Sequence, residues 1–222
     1  MADGSFQILP SIDYIATFTW AASGALVAIR KHFDIIGVFV IALVSSVGGG
    51  LVRDALFLQR TPVLLTDPFY LPLIAVTVAL VSLFTGLVSR ILKVDTVKKL
   101  VDVIDAIGIP IFAVIGMEMA EAQGIPGTGV LFVGLVNGTA GGLLRDVLVG
   151  EVPAILRPGQ FVALLLLVAC GLALVLKHYG VNASQAAWAT VCSFFVLRIL
   201  AIRFNWTTRS LLRESPTGEP GG

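Results

Sequence analysis

Gly49-Gly50-Leu51-Val52-Arg53-Asp54 returns 92 residues later as Gly141-Gly142-Leu143-Leu144-Arg145-Asp146. The same shift aligns Ile12-Asp13 with Ile104-Asp105, Gly24 with Gly116, Gly37 with Gly129, and Leu43-Val44 with Leu135-Val136. After a one-residue deletion, Pro62 aligns with Pro153. Matches on both sides of the glycine-arginine-aspartate segment make chance a poor explanation. The chain reads as two copies of one unit.

Composition says what solvent the copies live in. Of 222 residues, 57% are hydrophobic and only 13% charged, with mean hydropathy +0.96. A water-soluble domain is about a quarter charged. So few charges cannot cover a water-exposed surface, and lipid is the natural surrounding. Runs long enough to cross a bilayer fall near 12–30, 35–57, 70–91, 101–121, 129–149, 160–177 and 185–203. The expected fold is an all-α integral membrane protein with seven transmembrane helices, forming a single membrane domain over 1–222. Repeat one covers about 12–91 and repeat two about 101–177. Three spans per copy is an odd number, so the second copy enters from the opposite side and the repeats are inverted. A seventh helix, about 185–203, follows the duplication. The polar, Pro- and Gly-containing tail, about 207–222, reads as disordered.

Charge predicts orientation. With the N-terminus on one side, that side receives Arg53, Arg60 and Lys177. The other receives Arg30, Lys31, Arg90, Lys93, Lys98, Lys99, Arg145, Arg157, Arg198, Arg203, Arg209 and Arg213. Setting aside Arg53 and Arg145 as intramembrane leaves 2 against 11. Positive charge stays in the cytoplasm, so the N-terminus is expected outside and the C-terminus inside. No basic stretch precedes the first apolar run, so that run is expected to be retained as a span.

Several function classes fall away. Net charge is +1, and no basic, aromatic-interleaved patch suggests nucleic acid. Cys170 and Cys192 match no zinc or redox spacing and are expected to be buried, inert thiols. No phosphate loop, His-Glu-x-x-His or nucleophile elbow is present, so no enzyme, cofactor or bound metal is expected.

The chemistry concentrates in spans two and five. Ser45, Ser46, Gly48, Gly49 and Gly50 lead into Arg53 and Asp54. Asn137, Gly138, Thr139, Gly141 and Gly142 lead into Arg145 and Asp146. Glycine runs weaken helices by about 1 kcal/mol per residue relative to alanine. Freed carbonyls in lipid need partners, and water or a permeating cation can serve. These residues are therefore expected to form a pore or ion pathway through interrupted helices. The competing reading is close packing. Ala42, Ser46 and Gly50 recur every four residues, as do Gly134, Gly138 and Gly142, a small-residue spacing that lets backbones meet.

Ionisable residues inside a membrane are functional by default. Adjacent helical residues point apart, so Arg53 is expected not to satisfy Asp54 directly. If the glycines meet at the midplane, each arginine stands roughly 6 Å from it, one on each side. Asp13 and Asp105, near helix starts, are expected to serve the helix dipole or a cap, with proton or ion binding the alternative. Pro110 should kink span four. Glu118 and Glu121 read as interfacial, and His32 and His178 as solvated loop residues. Trp20, Trp188 and Trp206 read as interfacial anchors, with mid-span packing an equal alternative for the first two.

Gly48 to Asp54, followed by Pro62 and Asp67-Pro68-Phe69-Tyr70, resembles the prokaryotic branch of the trimeric intracellular cation (TRIC) channel family. Gly141 to Asp146, with Gly150 and Pro153, fits the same resemblance. It covers spans one to six. The resemblance implies a homotrimer with one pore in each protomer, along 35–57 and 129–149. It implies passive conduction of monovalent cations, chiefly potassium, with sodium less favoured. Animal members carry a lysine motif on the corresponding helices and bind phosphoinositide there. Arg53 and Arg145 stand in this chain instead, leaving another anionic membrane lipid as the candidate lipid partner. A prokaryotic member belongs in the plasma (inner) membrane.

Two further readings compete with the channel. A secondary carrier of a small solute such as an amino acid uses the same inverted-repeat plan. A membrane scaffold predicts no flux at all.

Overall fold

The computed structural model describes residues 10–88, 94–157, 161–204 and 206. The tail read as disordered lies outside these residues, as do Arg90, Lys93, Arg209 and Arg213 of the charge count. The described residues are helical, without strands. In order they form α1 (Pro10–Arg30), α2 (Ile35–Val52), a π-helical turn (Arg53–Phe57) and the one-turn α3 (Val63–Thr66). There follow α4 (Tyr70–Val88), α5 (Val94–Ala122), α6 (Gly127–Leu148), a 3-10 turn (Ala154–Leu156), α7 (Val162–His178) and α8 (Ala183–Arg203). Ile35–Phe57, Thr96–Ala122, Gly127–Leu148 and Ala183–Ala201 are long and apolar enough to cross a bilayer; Tyr70–Thr85 and Val162–His178 are shorter apolar helices.

Local chemistry sets the boundaries. Asp34 caps α2, accepting a 2.8 Å hydrogen bond from the Gly37 amide. Gly124, at φ 73°, turns the chain between α5 and α6, and Gly150, at φ 71°, turns it after α6; both need the left-handed backbone that glycine adopts freely.

The glycine runs do not interrupt their helices, contrary to expectation. α2 stays helical through Gly48, Gly49 and Gly50, and α6 runs unbroken through Gly138, Gly141 and Gly142. The departure from α geometry comes later, in the π turn that begins at Arg53. Packing explains the continuity. A Cβ built on Gly49 would lie 2.3 Å from the Asn137 carbonyl oxygen, and one on Gly141 2.3 Å from that of Ser45. Glycine is what permits these helices to touch, and the contact offsets its low helix propensity.

α2 and α6 form the centre. Gly49 faces Asn137 while Ser45 faces Gly141, so the two helices pass each other antiparallel. α1 packs on α2, α4 and α5; α5 packs on α6 and α8; α7 closes on α6 and α8. Matched positions repeat matched contacts. A Cβ on Gly24 would meet Ser45 Cβ at 2.7 Å and the Ile41 carbonyl at 2.9 Å. One on Gly116 would meet Asn137 Cβ at 2.7 Å and the Val133 carbonyl at 3.1 Å. Trp20 and Phe112, also 92 residues apart, stack edge-on at 5.4 Å.

Some other expectations are corrected and some are not. α5 begins at Val94, so Asp105 lies deep in the helix and cannot serve its N-terminus. Asp13 does sit in the first turn of α1, but its carboxylate accepts a hydrogen bond from the Tyr70 hydroxyl. Cys192 is exposed, because α8 turns that face away from the protein; Cys170 is buried. Trp20 is packed inside, whereas Trp188 is exposed. Glu118 and Glu121 share Lys177, whose Nζ stands 2.5 and 2.7 Å from their carboxylates.

Candidate functional site

The antiparallel crossing of α2 and α6 carries Arg53 beyond one end of the tight contact and Arg145 beyond the other. Both side chains are buried, at 4% and 2% exposure. Each does pair with the aspartate that follows it: Arg53 Nε lies 2.8 Å from Asp54 Oδ1, and Arg145 Nε 2.9 Å from Asp146 Oδ1. Sequence reasoning predicted otherwise from Cβ directions. The long arginine side chain folds back so that Nε, not the terminal fork, meets its neighbour. A buried charge with few partners has strong reason to do so.

Each aspartate also ties down the loop that follows. Asp54 Oδ2 accepts from the Val63 amide at 3.3 Å, and Asp146 Oδ2 from the Ala154 amide at 3.1 Å. Its carbonyl takes the Arg60 amide at 3.0 Å in one copy and the Glu151 amide at 2.8 Å in the other. Arg60 adds a second cation to Asp54, at 3.0 Å.

Beside Arg53 opens a cavity of about 260 Å³. Ser46, Gly50, Arg53 and Asp54 line it, joined by Asp13, Tyr14, Thr17, Asp67 and Tyr70. The Thr17 hydroxyl, fully buried, has no hydrogen-bond partner among the described residues. Beside Arg145 only about 30 Å³ remains, among Arg30, Lys98, Asp102, Asp105, Arg145, Asp146, Glu151 and Arg157. There the Arg145 fork is filled. Its Nη1 donates to Ser23 at 2.7 Å and to Asp105 at 3.2 Å, and its Nη2 donates to Asp105 at 3.0 Å. At the rim, Glu151 binds Arg30, Lys31 and Arg157 at 2.5, 3.0 and 3.2 Å. Burial alone would push the Glu151 carboxyl up, but the Lys31 hydrogen bond and the neighbouring cations hold it below the usual carboxylate range.

The remaining expected pathway residues divide between packing and the seam. Gly48 lies against Leu144, and Gly138 faces the Ile109 carbonyl on α5. Thr139 bonds back to the Leu135 carbonyl at 2.7 Å. Asn137 donates to the Phe112 carbonyl and accepts a long 3.4 Å contact from Arg53 Nη1. Ser45 is buried with its hydroxyl unpartnered among the described residues, and Gly142 lies near Arg145 and Trp20. Sequence reasoning missed the wall of the wider cavity. Asp13 was visible as a repeat match, and Asp67 and Tyr70 as part of a motif, but nothing marked Tyr14 or Thr17, nor Ser23 beside Arg145.

A family model described as "Glycine transporter" matches the chain twice, over residues 11–86 and 102–178. A "UPF0126 membrane protein" of Deinococcus radiodurans is 32% identical over 185 residues, 82% of this chain and 83% of that protein. The "UPF0126 inner membrane protein YadS" of Escherichia coli is 31% identical over 196 residues, 87% of this chain and 91% of that one. A structure described under "Structural basis for conductance through TRIC cation channels" superposes at TM-score 0.78 with 25% identity, covering 94% of this chain and 99% of its own. The TRIC trimeric intracellular cation channel orthologue from Rhodobacter sphaeroides gives 0.78 at 28% identity, covering 88% and 97%.

The chain belongs to the prokaryotic TRIC family.

The glycine-transporter model and the UPF0126 relatives fit that family. This TRIC protein is accordingly a multi-pass membrane protein, and the names of its relatives agree with its apolar helices. The doubled match of one family model to one TRIC chain falls on the same two segments that the sequence repeat picks out.

Proposed function

We propose that the protein conducts monovalent cations passively, potassium chief among them, through a pathway inside each protomer of a homotrimer in the inner membrane. The observation that carries this reading is the pair of arginine-bearing cavities at opposite ends of the α2–α6 contact. The structural likeness to TRIC cation channels supports it. The pathway runs from the cavity at Ser46, Gly50, Arg53 and Asp54, through the seam of Ser45, Gly49, Asn137 and Gly141, to Arg145 and Asp146. Gly48, Gly138, Thr139 and Gly142 support that seam. The arginines set the rate of cation access, and the aspartates and hydroxyls offset their repulsion. The architecture proposed is seven spans, two inverted three-helix copies and a last helix, with the N-terminus outside.

Single-channel recording of the purified protein in planar bilayers, under potassium and sodium gradients, tests the proposal. Discrete cation-selective openings are expected. The family model's description favours one alternative, a carrier of a small amino acid. Silent bilayers together with saturable solute exchange in liposomes would select it.

A further inference from the structure

The two copies share the arginine–aspartate pair and the aspartate's bonds to the following loop, and they differ in where a second carboxylate goes. In the second copy Asp105 occupies the Arg145 fork. Its counterpart Asp13 is hydrogen-bonded by Tyr70 instead. Arg53 is left with Nε on Asp54 and the long Nη1 contact to Asn137, and its Nη2 has no hydrogen bond among the described residues. Yet Arg53 and Asp13 line the same cavity, and the charge of Arg53 acts on Asp13.

The sequence supplies the cause. After the deletion that aligns Pro62 with Pro153, Tyr70 aligns with Phe161. Phenylalanine has no hydroxyl with which to hold a carboxylate. Tyr14, which aligns with Ala106, braces the first copy further. Its ring meets that of Tyr70 at 5.6 Å and its hydroxyl donates to Asp67 at 2.5 Å. Where the aromatic hydroxyls are present the cavity measures about 260 Å³, and where they are absent the carboxylate lies on the arginine and about 30 Å³ remains.

We infer that Tyr70 is a positioning residue for permeation: its hydroxyl is a latch that keeps Asp13 off Arg53 and so keeps the wider cavity open. The inference rests on the cation-pathway reading for its consequence, though not for its geometry. Released from Tyr70, the Asp13 carboxylate is left with the Arg53 guanidinium as its partner across the same cavity, through a charge-assisted bond. The first copy then takes the arrangement already present in the second.

Tyr70→Phe removes one oxygen and conserves the ring. In single-channel recordings of the full chain it should lower open probability roughly tenfold, the scale of one hydrogen bond to a charged group. The same substitution in an Asp13→Ala background should have no further effect, since the carboxylate that would swing is gone. Unchanged conduction in Tyr70→Phe overturns the latch while the channel reading stands, and so does an equal fall in the Asp13→Ala background. A parent protein silent to potassium refutes the channel reading instead. The latch is then decided by an experimental structure of Tyr70→Phe, in which Asp13 must lie on the Arg53 fork. Asp13 remaining apart from Arg53 overturns it.

Discussion

Gly49 and Asn137 approach so closely that the α-carbon hydrogen of the one lies against the carbonyl of the other; a Cβ there would come within 2.3 Å of that oxygen. Gly141 and Ser45 repeat the relation. No flexible side chain can yield at either place, because the obstacle is backbone. Gly49→Ala and Gly141→Ala should each cost about 1–3 kcal/mol, the usual range for overpacking. Gly171 has nothing within 4 Å of its Cβ position, so Gly171→Ala should be neutral or stabilise by up to about 1 kcal/mol through helix propensity. Thermal unfolding of the three variants in one detergent separates these outcomes.

The two arginines should differ when removed. Arg145 pairs with both Asp105 and Asp146, at 3.0 and 2.9 Å, and both pairs go when it is removed. Asp54 keeps Arg60 when Arg53 is lost. Arg145→Gln should therefore cost about 3–5 kcal/mol, as expected for breaking a buried pair, and Arg53→Gln distinctly less. Equal losses of thermal stability would contradict this division.

Glu151 gives a pH dependence with a definite sign. Its carboxyl titrates below the ordinary 4.5 in the folded protein. The stabilisation is present above that ordinary value and is lost as pH falls through the lowered one. Melting temperature should thus drop in acid below about 4.5, and Glu151→Gln should flatten that portion of the profile. A parent and variant with parallel profiles from neutral to pH 3 would remove Glu151 from the account.

The repeat, the membrane environment and the two arginine segments were legible in the sequence, because hydropathy and internal matching depend on residue types alone. The helix through Gly48 to Gly50 was not. Local propensity disfavours it, and only the partner backbone at Asn137 explains it. Asp105 was misread because α5 begins well before the apolar run, a boundary that hydropathy does not mark. Arg53 and Asp54 were judged from where Cβ atoms point, a rule that a side chain as long as arginine escapes. Ser23 and Thr17 carry no pattern at all; they matter only because folding brings them to Arg145 and to the wider cavity.

On the proposed pathway, the unequal cavities also decide where a membrane voltage is felt. A wide aqueous recess is electrically continuous with the bath and holds little of the potential difference, which falls instead across the dry part of the protein. With about 260 Å³ beside Arg53 and about 30 Å³ beside Arg145, the field concentrates between the Gly49–Asn137 seam and the Arg145 end. A unit charge crossing the whole drop exchanges about 2.3 kcal/mol per 100 mV. In that reading Asp105, Arg145 and Asp146 stand in the field, and Asp13 and Arg53 stand largely outside it. Reversing the polarity is therefore not equivalent to turning the molecule over, although its two halves descend from one pattern.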